Sequence, residues 1–250
     1  MRWKRAIVVG ASSGIGRSIA ERLAAEGVAV SLVARRSETL SEVCDSINAR
    51  DGHTQAWSYP SDVRRTDDVP DLFQKIVTVM EGLDLIVYAS GIQPVVGANE
   101  YPTDEDLDTV ATNFSGAVAW LNEAAARFSR ERTGTIIGIS SIAGDRGRRG
   151  SPVYAATKAA LTTYLEALHN RLAHQGVTVT TVKPGFVATP LLAQFPTPPF
   201  VPIAQPEAAA QQILDAAGAG RRVVYVPSWW RWVMFAIRSI PAPIFQRLNV

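Results

Sequence analysis

A tyrosine and a lysine stand four residues apart in the segment "SPVYAATKAALTTYLEAL", at Tyr154 and Lys158. On a helix this spacing places the two side chains on one face. A free phenol has a pKa of about 10, which is too high for easy proton exchange near neutral pH. A nearby ammonium group stabilises the phenolate and lowers that pKa. The pair therefore has the chemistry of a proton donor, although ordinary neighbours on a helix surface show the same spacing.

A glycine-rich turn lies near the start of the chain, in "VVGASSGIGRSIAERL". Gly10, Gly14 and Gly16 would let the backbone turn tightly from a strand into a helix and approach a pyrophosphate. The N–H groups at the start of that helix would then face the phosphates. Many strand–helix turns need glycine for packing alone. The strand before this turn and the helix after it favour nucleotide binding.

Two arginines follow the second strand, in "SLVARRSE". An NAD site usually places an acidic residue at this strand end, where it accepts a hydrogen bond from the ribose 2′-OH. An NADP site instead places an arginine there to bind the 2′-phosphate. Arg35 and Arg36 follow Ala34, and Ser12 and Ser13 supply neutral hydrogen-bonding groups. We expect NADP(H) as cofactor; the alternative is a solvated arginine pair at a helix start.

Short β-branched runs alternate with longer helical patterns along the whole chain. The strand-like runs are "AIVVG", "VAVSLVA", "LDLIVYAS", "GTIIGIS", "VTVTTV" and "RRVVYVP", and the helical segments are 15–26, 37–50, 66–81, 103–130 and 153–174. Such alternation implies right-handed crossovers and a parallel sheet covered on both faces. We predict one doubly wound α/β domain over residues 1–250 with a parallel seven-stranded sheet.

The combination of motifs resembles the short-chain dehydrogenase/reductase family. The turn "GASSGIG", Asn113 in "ATNFSG", and Ser141 standing 13 residues before a Tyr-x-x-x-Lys motif carry the resemblance. It covers residues 5 to 190 and continues through "QPEAAAQQIL" to "VVYVP". It implies a Rossmann-type sheet with helices on both faces, a nicotinamide cofactor and conversion between a carbonyl and an alcohol.

The resemblance also implies roles for four residues. Tyr154 would be the general acid in carbonyl reduction, and Lys158 would lower the pKa of Tyr154 and bind the nicotinamide ribose. Ser141, favoured over Ser140 by the 13-residue spacing, would orient the carbonyl oxygen and stabilise the developing oxyanion. Asn113 would hold a water that links Lys158 to a proton path.

The remaining carried-over positions concern the cofactor. Asp62 and Val63 in "SDVRR" would contact the adenine, and "KPGFVATP" would border the nicotinamide, with its carboxamide held by Thr189 and the Val187 backbone. The expected cofactor-binding set is Gly10, Ser12, Ser13, Gly14, Ile15, Gly16, Arg35, Arg36, Asp62, Val63, Ala89, Gly91, Tyr154, Lys158, Pro184, Gly185, Val187 and Thr189.

Two positions depart from the family pattern. Val9 stands where the family often has threonine, and Tyr88–Gly91 reads "YASG" where the family favours Asn-Asn-Ala-Gly. Ala89 and Gly91 keep the backbone shape while the side-chain hydrogen bonds change. These departures bear on cofactor affinity more than on proton transfer.

The composition is that of a folded globular protein, with 47% hydrophobic and 19% charged residues. We expect no secretory signal and no membrane span. Cys44 is the single cysteine, which suits a reducing cytoplasm. His53, His169 and His174 lie apart from any cysteine cluster, so we expect no metal site. Nothing in the sequence indicates a nucleic-acid partner.

Two loops are candidates for the substrate side. Six of the 15 prolines lie in the irregular stretch 190–206, which also holds Leu191, Leu192, Phe195, Phe200 and Val201. These apolar residues could bind a hydrophobic ketone or aldehyde, or simply pack a lid onto the core. The second loop, "GDRGRRG", carries three arginines that either contact an anionic group on a substrate or carrier or are solvated: Arg146, Arg148 and Arg149.

The segment 228–250 is apolar and basic. Five arginines and no acidic residue or lysine follow Asp215, so the last 35 residues carry +5 and the rest about −3 of the net +2. On a helix, one broad arc holds Trp229, Trp230, Trp232, Val233, Ala236, Ile237 and Ile240, the opposite side holds Arg231, Arg238 and Ser239, and the margins hold Met234 and Phe235. Segment 229–248 suits a helix lying in a membrane interface at the inner face of a membrane. The alternative is an apolar face docked on this chain or on a partner subunit, since the family commonly forms dimers and tetramers.

The sequence thus predicts an NADPH-dependent reductase of a lipophilic ketone or aldehyde. One alternative is a reductase of small soluble ketones or of 3-oxoacyl groups on a carrier protein. An alternative from another class is a non-catalytic NADP-binding sensor or interaction protein. The intact Asn113, Ser141, Tyr154 and Lys158 favour the enzyme.

Overall fold

The computed structural model describes residues 2–51, 55–97 and 99–248. Seven strands lie within this part of the chain: β1 Arg5–Val9, β2 Ala29–Ala34, β3 Ala56–Pro60, β4 Leu85–Tyr88, β5 Gly134–Ile139, β6 Val177–Pro184 and β7 Val223–Val226. All pair in parallel in the order β3-β2-β1-β4-β5-β6-β7. The predicted seven-stranded parallel sheet is confirmed.

Helices connect the strands and cover the sheet. Their bounds are α1 Gly14–Ala25, α2 Ser37–Asp51, α3 Val69–Val79, α4 Thr103–Val110, α5 Gly116–Glu131, α6 Pro152–Leu172, α7 Pro206–Gly218, α8 Trp230–Ser239 and α9 Ala242–Phe245. Buried residues of α1, α2 and α7 form one core with the sheet. Those of α3, α5 and α6 form a second core on the other face. The result is the doubly wound architecture with helices on both faces.

The chain direction places a crevice above β1 and β4. Successive strands run outward from β1 to β3, and the chain then returns to place β4 on the other side of β1. At such a switch point the loops after the two neighbouring strands diverge and leave room for a ligand. The glycine-rich turn follows β1 and the "YASG" segment ends β4, so both lie at this crevice.

The structure corrects two details of the predicted elements. Strand β3, with sequence "AWSYP", was not among the strand-like runs, because it lies at the sheet edge and only Ala56 in it is buried. The segment predicted as one helix over 103–130 is instead α4 and α5, joined by a π-helical turn at Ala111–Ser115. That turn carries Asn113. His53 and the final residues 249–250 lie outside the described residues.

Candidate active site

A cavity of about 820 Å³ opens at the carboxyl ends of the strands. Its walls include the glycine-rich turn and Arg36 as well as Phe195 and Pro196. Of the predicted site residues, those lining it are Gly10, Ser12, Ser13, Gly14, Ile15, Gly16, Arg35, Arg36, Val63, Ala89, Gly91, Ser141, Tyr154, Lys158, Pro184, Gly185, Val187 and Thr189. The residues that motif spacing selected thus meet around one space.

The glycine-rich turn has the geometry of a cradle. Gly10 has a φ of +91°, and a Cβ there would lie 2.5 Å from the Ser90 nitrogen. A Cβ on Gly16 would lie 2.2 Å from the Gly10 carbonyl oxygen. A Cβ on Gly14 would lie 2.9 Å from Cγ2 of Thr189. The first and last segments of the predicted cofactor-binding set are therefore close together in space. The turn leaves backbone N–H groups at the start of α1 facing the cavity, which fits a pyrophosphate.

Arg36 is anchored over this turn. Its Nη2 donates to Oγ of Ser12 at 2.9 Å and to Oγ of Ser13 at 3.0 Å. Ser13 precedes α1 and makes no capping hydrogen bond with its side chain, so its hydroxyl serves the arginine instead. Arg35 also lines the cavity, and its positive charge contributes to holding the pKa of Asp62 below its ordinary value, behind the larger effect of Arg64. A guanidinium and two hydroxyls therefore converge where a ribose 2′-phosphate would lie.

Tyr154 and Ser141 both line the cavity and interact with each other. Burial raises the pKa of Tyr154, and an interaction with the Ser141 hydroxyl opposes that increase. The Ser141 Oγ also accepts a hydrogen bond from the Ala143 N–H at 3.0 Å, which fixes its orientation. The sequence led us to expect a net lowering of the Tyr154 pKa by lysine; in the structure burial outweighs any lowering. The phenol is thus protonated and positioned to donate.

Lys158 lies beside Tyr154 on α6 and is only 4% exposed. Its Nζ is 5.7 Å from the centre of the Tyr154 ring and donates to the backbone oxygen of Ile139 at 3.0 Å. Burial lowers the pKa of Lys158 to about 8. No carboxylate among the described residues lies within 4 Å of this ammonium. Lys158 is therefore cationic at neutral pH without a counter-charge of its own.

Asn113 is fully buried in the π-helical turn. Its Oδ1 accepts from the Ile92 N–H at 2.8 Å, and its Nδ2 donates to the Ile92 carbonyl at 2.9 Å and to Oγ1 of Thr157 at 3.2 Å. A π-helical turn redirects side chains locally and is frequent at functional sites. Here Asn113 links the loop after β4, through Ile92, to α6, through Thr157, which directly precedes Lys158.

Two residues of the "YASG" segment, Tyr88 and Gly91, lie close to other predicted site residues or to the turn that carries them. The Tyr88 hydroxyl donates to the Thr112 carbonyl at 2.6 Å, which anchors the π-helical turn to β4. A Cβ on Gly91 would lie 3.3 Å from Nζ of Lys158 and 3.4 Å from Oδ1 of Asn113. The glycine therefore permits the close approach of these two predicted site residues.

Two predicted site residues do not line the cavity. The Asp62 carboxylate is held by Arg64, which donates to it at 2.7 Å and also bonds Asp108 at 3.0 Å. The hydrogen bond from Arg64 is the main cause that lowers the pKa of Asp62. Asn113 does not line the cavity and instead bonds the Ile92 backbone and Thr157. The contact of Asp62 with adenine stays a prediction.

Sequence reasoning missed a buried charged cluster behind the serine. Lys183 forms an ion pair with Asp145, and the Tyr225 hydroxyl donates to the other carboxylate oxygen of Asp145 at 2.7 Å. The side chains of Lys183 and Asp145 are 8% and 2% exposed. Asp145 ends the short 3-10 helix that follows Ser141, while Lys183 lies on β6 just before Pro184. The cluster connects the serine loop to the strand that borders the cofactor site.

The apolar residues of loop 190–206 divide into two groups. Leu191, Leu192 and Phe195 line the cavity, together with Phe186. Val201 instead packs against the buried Trp230 cluster. Phe200 is 83% exposed and contributes to neither. Only part of this loop therefore faces a substrate.

Helix α8 docks on its own chain, as one of the two alternatives predicted, and Trp230, Val233 and Ile237 of the predicted arc take part in the contact. Trp230 and Met234 are buried against Ile142, and a Cβ on Gly185 would lie 1.9 Å from Nε1 of Trp230. Met234, placed at the margin of the apolar arc, is fully buried, whereas Trp232 is 65% exposed. The predicted arc was wrong at these two residues. The face of α8 that is buried depends on where Ile142 and its neighbours contact the helix, and not only on which side of the helix is most apolar.

Comparison with known proteins identifies the family. The family model described as short chain dehydrogenase matches residues 4–198. The chain belongs to this family. An uncharacterized oxidoreductase of Myxococcus xanthus is 34% identical over 200 residues, which cover 79% of this chain and 78% of that protein.

Solved structures agree with the family. A short chain dehydrogenase/reductase family protein is similar with a TM-score of 0.79 and 29% identity, over 90% of this chain and 97% of that one. A variant of actinorhodin polyketide ketoreductase with NADPH is similar with a TM-score of 0.82 and 26% identity, over 91% and 97% of the two chains. The protein is an oxidoreductase of the short-chain dehydrogenase type with a Rossmann-type fold.

The described residues contain neither a membrane-crossing helix nor a metal-binding cluster. A membrane-crossing helix needs both length and continuous apolarity, and no helix in the described ranges has both. In the same part of the chain, no group of three or more His, Cys, Asp or Glu side chains is placed to hold a metal ion.

Proposed function

We propose that this short-chain dehydrogenase reduces a ketone or aldehyde to an alcohol with NADPH. The observation that carries the proposal is the placement of Tyr154, Ser141 and Lys158 on one wall of the cavity that begins at the glycine-rich turn. We further propose that residues 1–250 act as one domain, in which 190–206 is the substrate loop and 228–250 an amphipathic segment.

The cavity fits a dinucleotide from the glycine cradle to the Pro184–Thr189 loop. Arg36, held by Ser12 and Ser13, supplies a fixed cation for a 2′-phosphate, which favours NADPH over NADH. The strand end offers no acidic side chain for a free 2′-OH, since Ala34, Arg35 and Arg36 occupy it. When bound, the nicotinamide would supply hydride to the carbonyl carbon.

The chain's own residues would handle the proton. Burial keeps Tyr154 protonated, so its hydroxyl can donate a proton to the carbonyl oxygen as negative charge develops there. The Ser141 hydroxyl, oriented by the Ala143 N–H, donates a hydrogen bond to the same oxygen. The Lys158 cation, 5.7 Å from the Tyr154 ring centre, stabilises the phenolate that remains. Asn113 holds the Ile92 backbone and Thr157 in place beside this lysine.

The substrate we propose is lipophilic. Leu191, Leu192, Phe195 and Phe186 supply apolar surface to the wall of the cavity. Small soluble ketones and 3-oxoacyl groups on a carrier protein are the alternatives. The similarity to a polyketide ketoreductase supports ketone reduction as the reaction class and does not choose among these substrates.

The test is NADPH oxidation by the purified chain with a panel of ketones and aldehydes of increasing chain length. We expect turnover that rises with apolar chain length and is lost in Tyr154→Phe, while NADPH binding is retained. Tight NADPH binding with equal inactivity of wild type and Tyr154→Phe on every carbonyl would contradict the proposal. That outcome would favour the non-catalytic NADP-binding protein.

We also propose that the exposed apolar face of α8 contacts an anionic membrane surface. Trp232 and Phe235 are 65% and 69% exposed, and Arg231 and Arg238 flank them. Co-sedimentation with anionic liposomes should be lost in the Trp232→Ala/Phe235→Ala double variant. A point variant is preferable to truncation, because α8 also covers Ile142 through Trp230 and Met234. Retention of binding in the variant, or no binding by wild type, would contradict this surface.

Association and location stay predictions. A homo-dimer or homo-tetramer is expected from the family resemblance, and sedimentation velocity of wild type and the double variant would test whether α8 makes a subunit contact instead. A cytoplasmic location, at the inner face of a membrane if α8 binds it, is likewise a prediction.

A further inference from the structure

Three arginines lie in the loop between the 3-10 helix 142–145 and α6, and their surroundings differ. Nη1 of Arg146 donates to three backbone carbonyls at the end of α8, and its guanidinium lies 4.0 Å from the centre of the Phe245 ring. The three carbonyls are those of Ile237, Arg238 and Ile240, at 2.8, 3.0 and 2.6 Å. Arg149 is exposed to solvent. The first arginine holds the end of α8, and the last is exposed to solvent.

Arg148 differs from both. It is half-buried and lines the cavity, and its Nε is buried without a hydrogen-bond partner among the described residues. Its closest recorded polar contact is from Nη2 to the sulfur of Met234 at 3.7 Å, which is a weak acceptor. Within the described ranges, no carboxylate lies within 4 Å of this guanidinium. Burial lowers the pKa of Arg148, and the more distant Asp145 only partly offsets that effect.

Its position assigns Arg148 to the substrate-binding part of the cavity. It follows Ser141 by seven residues and contacts Met234 of α8, which covers Ile142. The features that fit phosphates belong to other residues, at the glycine-rich turn and Arg36. Arg148 is therefore placed to meet a substrate and not the phosphates of a dinucleotide.

A partly desolvated guanidinium without a counter-ion is costly, and an anion that enters the cavity relieves this cost. The planar fork of arginine matches a carboxylate in particular, because it can donate two parallel hydrogen bonds. Apolar side chains occupy the neighbouring wall, at Leu191, Leu192 and Phe195. The combination fits a molecule with an apolar chain and one acidic group.

We propose that Arg148 binds the carboxylate of an amphiphilic oxo acid, whose ketone is presented to Tyr154 and whose chain lies along loop 190–206. This inference rests on the proposed carbonyl reduction and names its substrate class. Arg148 would act through binding, so its loss should raise KM for acidic substrates more than it lowers kcat.

The experiment compares straight-chain oxo acids with their methyl esters under saturating NADPH. The series varies the number of carbons between ketone and carboxylate. For the best spacing, we expect wild type to show a kcat/KM at least about tenfold higher for the acid than for the ester. In Arg148→Met the ratio of kcat/KM for the acid to kcat/KM for the ester should fall about tenfold, mainly through a higher KM for the acid. The ratio for Arg148→Lys should lie between those of wild type and Arg148→Met.

Arg149→Met is the matched control, because it removes the same charge from the same loop at an exposed position. We expect it to leave the ratio within about twofold of wild type. An acid-to-ester ratio near one in wild type at every spacing would overturn the inference, whether or not Arg148→Met folds. Equal loss of the ratio in Arg148→Met and Arg149→Met would also overturn it, since that result indicates long-range charge alone.

Failure of the proposed function gives a different result. If wild type reduces other ketones or aldehydes but neither the acids nor the esters, the inference is wrong and carbonyl reduction stands. If no carbonyl at all causes wild type to consume NADPH, carbonyl reduction is wrong, and the anion site is tested by binding alone. Calorimetric titration of dodecanoate into the NADP⁺-saturated protein should then give a Kd about tenfold weaker in Arg148→Met than in wild type and Arg149→Met. Equal affinities for all three proteins would contradict the site.

Discussion

Two lysines in the described part of the chain are buried, and their surroundings are opposite. Lys183 on β6 is paired with Asp145, which also accepts from Tyr225. Lys158 on α6 is buried as deeply but bonds only a backbone carbonyl among the contacts described, and no carboxylate in the described ranges neutralises it. One ammonium is part of a closed ion pair, and the other is held as an uncompensated cation beside Tyr154.

The difference distinguishes a structural charge from a functional one. A paired buried charge is destabilising when one partner is removed, because the other is left unpaired. An unpaired buried lysine already reduces stability in its charged form and persists where its charge serves a reaction. Removing Lys183 should therefore reduce stability, and removing Lys158 should reduce activity.

The largest effect is expected for Lys158→Met. Without the cation the phenolate of Tyr154 is less stable, and we expect kcat/KM for ketone reduction to fall roughly 10²- to 10³-fold. The measurement is steady-state NADPH oxidation at pH 7, with the fold checked by circular dichroism. A loss of less than about tenfold in Lys158→Met would remove the functional role of this lysine.

The next effect is expected for Lys183→Met. It leaves Asp145 buried with only Tyr225 as partner, and we expect the free energy of unfolding to fall by about 3 kcal/mol in urea titration. The double variant Lys183→Met/Asp145→Leu removes both charges and should lose less than the single one. If the free energy of unfolding of the double variant falls by the sum of the losses in Lys183→Met and Asp145→Leu, the two residues do not interact.

The pH dependence of stability provides a smaller effect with a defined sign. The pKa of Lys158 is about 8 in the folded protein against an ordinary value of 10.5, so between these values the unfolded chain binds a proton that the folded chain lacks. The free energy of unfolding should therefore rise with pH in this window. From pH 8 to 9.5 wild type should gain about 2 kcal/mol relative to Lys158→Met. A constant difference between the two proteins would contradict the lowered pKa.

The smallest effect is expected where Arg36 lines the cavity. Arg36→Ala should weaken NADPH binding about tenfold and leave NADH binding within about twofold, because the lost guanidinium meets only the 2′-phosphate. Arg35→Ala is the matched variant, since Arg35 makes no recorded bond to the serines. Fluorescence titration gives both affinities. Equal weakening for NADH and NADPH in Arg36→Ala would refute the 2′-phosphate contact.

Local patterns in the sequence were sufficient for the sheet, for the glycine-rich turn and for the spacing of Ser141, Tyr154 and Lys158. These features depend on residues close in sequence or on strand alternation. The Lys183–Asp145 pair was missed because its members are 38 residues apart and no local pattern indicates that they meet. Met234 and Trp232 of α8 were predicted wrongly for the same reason, since Ile142, which contacts this helix, lies far away in the chain. Edge strand β3 has too few buried positions to be recognised.

The central claim is that the cavity transfers hydride from NADPH to a carbonyl while Tyr154 donates the proton. The most direct measurement uses NADPH deuterated on the transferred position of C4, with mass spectrometry of the alcohol formed from the best ketone of the panel. We predict one deuterium on the former carbonyl carbon with wild type and no labelled product with Tyr154→Phe. Unlabelled alcohol from wild type, or equal labelling by Tyr154→Phe, would contradict the account.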